Sequence, residues 1–293
     1  MPPQRLLNSP VRTITSLSIL FFYFLSIPLQ AQETSAPIQV KQGEIALITL
    51  TLESDIPSVG GKFLDQPIPF FKKNTDEYAA MIGIDLDQPV GLQPLTVTWQ
   101  KGESTVRREI AIEVVSAAFA TQSLKLPKGM VDLDPPTLAR VQKEQARMKE
   151  IFDKSADQKL WEAAFIVPTE GKVAGTFGLR RMMNGQPRNP HTGEDISAPL
   201  GAPVLASNGG RVILVGDFYF NGYSVIIDHG LGLFSMYFHL SETTVKEGET
   251  VIKGQAIGSV GQSGRATGPH LHWGIRLNGA RVNPFSLIEK KLG

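Results

Sequence analysis

From Phe165 onward the chain is a succession of short runs dense in β-branched and aromatic residues and punctuated by glycine. The clearest are Val204-Leu-Ala206, Arg211-Val-Ile-Leu-Val215, Tyr223-Ser-Val-Ile-Ile-Asp228, Leu233-Phe-Ser-Met-Tyr-Phe-His239 and His270-Leu-His-Trp-Gly-Ile-Arg276. Such runs read as strands, so this half is expected to be all-β, built of folded-over antiparallel sheets. Residues 36–118 read similarly. Glu44–Leu52 and Arg108–Val115 alternate apolar and polar residues with a period near two, and Pro/Gly/Asp breaks separate such runs. A small antiparallel sandwich is predicted there. Between the halves, Asp134 is placed to cap a helix with Pro135 at its first position. Leu138, Val141, Met148, Ile151 and Phe152 supply its apolar stripe, which ends near Lys154. The fold class is therefore mainly all-β, with a β-rich accessory domain at 36–120, a linking helix at 134–155 and a second domain at 160–293.

The 293 residues leave room for one large or two ordinary domains. With 29 basic and 28 acidic residues, the balance offers no electrostatic handle for nucleic acid. Residues 1–31 are set apart. Arg5 and Arg12 precede an apolar run from Leu17 to Leu29, and the small Ala31 precedes a polar stretch. That order predicts a secretory signal peptide and an exported, periplasmic protein, with an uncleaved membrane anchor as the alternative. The chain has no cysteine, which excludes disulfides and thiolate metal ligands.

All five histidines fall between His191 and His272. Imidazole is the commonest metal ligand and titrates near neutrality, so the cluster points to metal binding, acid–base chemistry or both. In a strand, His270 and His272 project from one face about 6–7 Å apart, while Leu271 turns to the core. His191 and Asp195 add a nitrogen and an oxygen. In straight strand they would stand about 13 Å apart, so a bend must bring them together, and Gly193 is expected to permit it. Two imidazoles and one carboxylate make a known ligand set for catalytic zinc, with the fourth position left to water. Spacing alone does not say whether His270 or His272 completes it. His239 closes a strand and joins the constellation, whereas His229, in a turn after an apolar strand, reads as structural. The glycine-rich segment Gly261–Pro269 lacks the Gly-Lys-Ser/Thr end of a phosphate loop. It is expected to let backbone approach the strand carrying His270 and His272. No Gly-x-Ser-x-Gly elbow is present to suggest a serine hydrolase.

These residues resemble the lysostaphin/LytM-type zinc metallopeptidases that cut peptide bonds in bacterial cell walls. The likeness spans about residues 165–286 and includes Phe177-Gly-Leu-Arg180, His191-Thr-Gly-Glu-Asp195, Tyr237-Phe-His-Leu240, Gly254-Gln-Ala-Ile-Gly258 and Gly268-Pro-His-Leu-His-Trp273. The resemblance implies that His191, Asp195 and His272 hold one Zn²⁺ per chain. It implies that His239 and His270 face the scissile bond without binding metal. It further implies a monomeric endopeptidase acting on peptidoglycan cross-links, with residues 36–120 available to a regulatory or adaptor protein. A wall-binding relative without catalysis would lack ligands, yet all five positions are filled.

Overall fold

The computed structural model describes residue 1 and residues 36–53, 56–125, 133–290 and 292. Apart from Met1, the predicted leader at 1–31 lies outside the described residues. Strands hold about 49% of the chain and helices about 9%, so it is mainly β, as its sequence predicts. Among the described residues no helix is long and apolar enough to cross a membrane.

The first half contains β1 (Ile38–Lys41), β2 (Ile45–Thr51), β3 (Val59–Phe63), β4 (Gln66–Pro69), β5 (Phe71–Lys72), β6 (Glu77–Gly83), β7 (Gly91–Lys101) and β8 (Ser104–Val115). They form one sheet in the order β1-β8-β7-β3-β4 and another in the order β2-β6-β5. One core joins the two, with Ile48 and Tyr78 from the smaller sheet meeting Leu95, Val97 and Ile112 from the larger. The predicted sandwich is antiparallel except where β1 runs parallel to β8 at the sheet edge. There Val40 buries its side chain in the same core.

The smaller sheet is apolar on both faces. Ala46, Ile48, Ala80 and Ile82 point into the sandwich. Ile45, Ala79 and Met81 point the other way, into the core of the second half. The period of two therefore distributes one strand between two cores rather than between core and water.

The second half begins with β9 (Thr121–Leu124) and the helix α1 (Pro135–Phe152). Asp134 caps α1, accepting from the Thr137 backbone N–H. There follow β10 (Lys172–Val173), β11 (Arg180–Met183), β12 (Gln186–Arg188), β13 (Gly193–Ser197) and β14 (Pro203–Leu205). Then come β15 (Gly210–Phe218), β16 (Gly222–Gly230), β17 (Leu233–Thr243), β18 (Thr250–Val251) and β19 (Ala256–Val260). The chain closes with β20 (His270–Leu277), β21 (Ala280–Val282) and the short helix α2 (Pro284–Ile288).

The main sheet runs β10-β13-β20-β17-β16-β15-β18, with β14, β19 and β21 attached to it. Its inner face buries Ile196, Val225, Ile227, Tyr237, Leu271, Trp273 and Ile275. The alternate residues Leu214, Ile226, Phe234, Met236 and Phe238 form a second cluster, closed by Met148, Ile151 and Phe152 of α1. The helix thus braces the outer face of the sheet. Leu138, predicted to belong to its apolar stripe, is exposed, because only the later turns of α1 reach the cluster.

The two halves are also joined by polar contacts. Arg281 on β21 donates to both oxygens of Asp85 and to Asp87, and Arg180 on β11 also pairs with Asp87. The Ile45 N–H donates to Ser286 Oγ of α2.

Candidate metal centre

Strand register assembles the centre. In the antiparallel pairing of β13 with β20, Asp195 stands opposite His272 and Ser197 opposite His270. Directly opposed residues are cross-strand neighbours on one face, so Asp195 and His272 meet although 77 residues separate them. His272 Nδ1 lies 3.0 Å from Asp195 Oδ1 and His191 Nε2 lies 3.2 Å from the same oxygen. His270 Nε2 is farther from it, at 3.8 Å. The ligand atoms of His191, Asp195 and His272 all lie within 4.8 Å of one another.

His191 precedes β13 rather than lying in it, and its backbone is paired with the segment leading into β11. Its N–H donates to Leu179 O, and its carbonyl accepts from the Gly178 N–H. The predicted bend between His191 and Asp195 does not come from a left-handed glycine. Gly193 pairs in register with Gly274 and is absent from the positive-φ positions. Its small size serves a different need, since a Cβ there would stand 2.5 Å from His272 Nε2. The glycine makes room for a ring rather than for a turn.

The carbonyl partners of three histidines fix their tautomers. A carbonyl only accepts, so a ring nitrogen beside one must carry the proton. His191 Nδ1 lies 3.1 Å from Thr176 O, His239 Nδ1 2.9 Å from Ser263 O, and His270 Nδ1 2.8 Å from Gly268 O. In the neutral tautomer of each ring the lone pair is then on Nε2. His272 instead presents Nδ1 to Asp195, and its ring stacks on Phe238 at 5.6 Å with planes 4° apart.

His239 and His270 sit side by side, ring centroids 4.8 Å apart. His239 has a φ of +63°, uncommon for a residue with a Cβ and carrying a cost of order 1–3 kcal/mol. That conformation lies within β17 and is held by donation from the His239 N–H to Asn221 O. The expected role of the glycine-rich segment takes a definite form at Gly261. Its carbonyl accepts from the His270 N–H, and a Cβ on it would lie 2.2 Å from the Ser241 nitrogen. The segment is thereby wedged between the strands that carry His239 and His270.

Electrostatics suits the centre to a cation. Burial by itself would raise the Asp195 pKa, but hydrogen bonds and charge from His191 and His272 outweigh it, and the carboxyl lies well below the usual range. Burial lowers the pKa of His272. The pKa of His239 is pushed down to about 4, by burial first and then by the neighbouring imidazoles. At neutral pH the centre thus holds an ionised carboxylate with neutral rings at His239 and His272, the states that ligation and proton acceptance require. Two imidazole nitrogens and one carboxylate oxygen this close together fit a divalent ion of zinc's type.

Two supporting residues escaped the sequence reading. Glu194 is only 3% exposed and shares its strand face with Ile196. It accepts from the backbone N–H and hydroxyl of Thr176 and from the Phe177 N–H. Thr176 in turn supplies the carbonyl that orients His191. Ser263 holds His239 through its carbonyl, while its hydroxyl donates to Leu240 O. The signal for Glu194 was a carboxylate on the core-facing side of a strand, where only a buried partner can satisfy it. His229, read as structural, is fully buried between Gly209 O at 2.6 Å and Ser235 Oγ at 2.7 Å.

A mainly-β domain presenting two imidazoles and a carboxylate around one point, with two further imidazoles alongside, is built as a metallopeptidase domain. The pattern of Peptidase family M23 matches residues 189–284. A peptidase M23 crystal structure from Pseudomonas aeruginosa is 30% identical, with a TM-score of 0.67 covering 87% of this chain and 96% of that one. The chain belongs to peptidase family M23. It is similar to the peptidoglycan DD-endopeptidase ShyA of Vibrio cholerae, with 36% identity over 135 residues, 45% of this chain and 31% of that protein. It is also similar to the DD-carboxypeptidase/endopeptidase Mpg of Neisseria meningitidis, with 41% identity over 116 residues, 40% of this chain and 27% of that one. The chain spans less than a third of the length of these curated relatives.

Proposed function

We propose that this protein is a zinc-dependent endopeptidase that cuts peptide cross-links of bacterial peptidoglycan. The observation that carries the reading is the convergence of His191, Asp195 and His272 within 4.8 Å beside the backbone-anchored rings of His239 and His270. Similarity to ShyA, a peptidoglycan DD-endopeptidase, supports the choice of substrate. His191 through Nε2, Asp195 through its carboxylate and His272 through Nδ1 would hold one Zn²⁺. When bound, zinc supplies a Lewis acid for the peptide carbonyl and lowers the pKa of water.

The remaining chemistry falls to this chain's own side chains. His239, neutral and backbone-anchored, takes a proton at Nε2 as water adds to the carbonyl carbon. Once protonated, His239 steadies the developing charge, and His270 beside it helps to orient the attacking water. As the C–N bond breaks, the proton passes to the leaving amine. The Thr176 carbonyl keeps the ligating ring of His191 in orientation.

Residues 36–120 and 160–293 are read as two modules, the first a regulatory or recruiting one. Their separate cores support this division, and the two-faced β2–β6 sheet is the surface through which they are joined. The predicted leader, together with an extracytoplasmic substrate, favours export to the periplasm.

The test is digestion of purified sacculi by the full chain, with and without a chelator, and mass spectrometry of the released muropeptides. Zinc-dependent release of cross-link cleavage products is expected. Intact cross-links under zinc-replete conditions would overturn the reading.

A further inference from the structure

Residues 116–124, which leave β8 and enter β9, pack on the stretch that holds His191. After β8 the chain turns through Ala118, whose φ of +50° is uncommon for a residue with a Cβ. Donation from the Ala118 N–H to Ser116 Oγ accompanies that turn, which delivers Phe119 onto the stretch leading into β11. Phe119 is half-buried, whereas Thr121, Gln122 and Ser123 on β9 are exposed. Those β9 residues contribute backbone pairing with β11 rather than burial, which leaves Phe119 as the apolar anchor.

The ring of Phe119 is gripped by a few neighbouring residues. It meets the Phe177 ring edge-on, with centroids 5.9 Å apart. A Cβ at Gly178, where φ is +78°, would run into the same ring. The Arg180 guanidinium lies over it, 5.7 Å from the centroid, and is held there by its ion pair with Asp87. The Arg180 N–H donates to Ala120 O at 2.8 Å. The β1–β2 turn closes on both rings, since a Cβ at Gly43 would collide with Phe177 and come within 3.2 Å of Phe119. Gly43 is itself fixed, its N–H donating to Ile84 O and its carbonyl accepting from the Asn283 N–H.

The same stretch meets the metal ligand. Gly178 and Leu179 bond to the carbonyl and N–H of His191, and Thr176 O faces His191 Nδ1. Gly178 has no Cβ to restrict its backbone, so the ring packed on it and the bond to His191 O are what hold it. Close packing passes a displacement at one of these contacts on to the other.

We infer that Phe119 is a positioning residue for the ligand His191, acting through residues 176–180. This rests on the metal reading given above. The centre is then not complete within residues 160–293, because one of its supports precedes α1.

Zinc affinity of the full chain would be measured by competition with a chromophoric chelator, and stability by denaturant unfolding of the metal-free form. Phe119→Ala is expected to weaken zinc binding about tenfold, the lower end of what the loss of an outer partner costs. Phe119→Leu keeps an apolar side chain at the position and should recover part of that loss. It also keeps the test open if Phe119→Ala fails to fold. Val97→Ala is the control. Val97 is buried in the sandwich core of the first half, so its truncation should lower stability while zinc affinity stays at the wild-type value.

Wild-type affinity in every folded Phe119 variant would overturn the inference. So would an equal loss of affinity in Val97→Ala, which would mark the effect as general destabilisation. A wild-type chain that does not bind zinc removes the metal centre itself, whereas zinc binding indifferent to Phe119 removes this inference alone.

Discussion

Replacing Glu194 with Gln tests whether the metal centre is held by a contact outside its ligands. The carboxylate accepts from the Thr176 N–H at 2.5 Å and the Thr176 hydroxyl at 3.2 Å through one oxygen, and from the Phe177 N–H at 3.3 Å through the other. Glutamine keeps one acceptor oxygen and turns an NH₂ toward a backbone donor. One charge-assisted hydrogen bond is lost, worth about 1.5–3 kcal/mol, and the two retained bonds lose their charge. The expected cost is about 2–4 kcal/mol, which for a chain of this size lowers Tm by roughly 5–15 °C. The effect does not stop at stability, because the Thr176 carbonyl orients His191. Loss of such an outer contact weakens metal affinity about 10–100-fold. Denaturant unfolding measures the first effect and competitive zinc titration the second. If Glu194→Gln stays within about 0.5 kcal/mol of wild type and binds zinc equally well, the supporting role assigned to Glu194 is wrong.

Further outcomes follow from other parts of the molecule. Burial of His229 pushes its pKa down from 6.5 to about 4, so on acidification the unfolded chain takes up a proton before the folded one does. That stability is complete above pH 6.5 and drains away as the pH falls toward 4, by about 3 kcal/mol. Urea unfolding across that range should show the loss, and His229→Gln should flatten it. His239→Ala is expected to abolish hydrolysis at unchanged zinc content. Near-wild-type turnover at matched metal occupancy would contradict it. Arg281→Ala breaks the paired contact with Asp85, both side chains being about a quarter exposed. A loss of about 1–2 kcal/mol is expected, shrinking in high salt, and an unfolding curve indifferent to both changes would rule that contact out as a tie between the halves.

Much of this protein was legible from local pattern. Glycine-punctuated β-branched runs marked the strands of the second half, and Asp134-Pro135 marked the start of α1. The histidine patterns named the residues that converge, because ligand chemistry restricts which side chains can hold a cation. What stayed hidden depended on which strand lies beside which. Gly193 looked like a hinge and proved to be clearance for the His272 ring, a fact visible only once β20 is laid against β13. Glu194 carries no local mark of its role, because only packing decides which face of β13 is buried.

The choice between His270 and His272 shows where that division falls. Both stand on one face of β20, and the two-residue period treats them alike. Register separates them, by setting His272 opposite Asp195 and moving His270 two pairs along to Ser197. Local sequence determined which residues could ligate or carry protons, since that is a property of single side chains. Tertiary structure decided which of them share an oxygen atom, since hydrogen-bond ladders between distant strands set distances that no spacing along the chain contains.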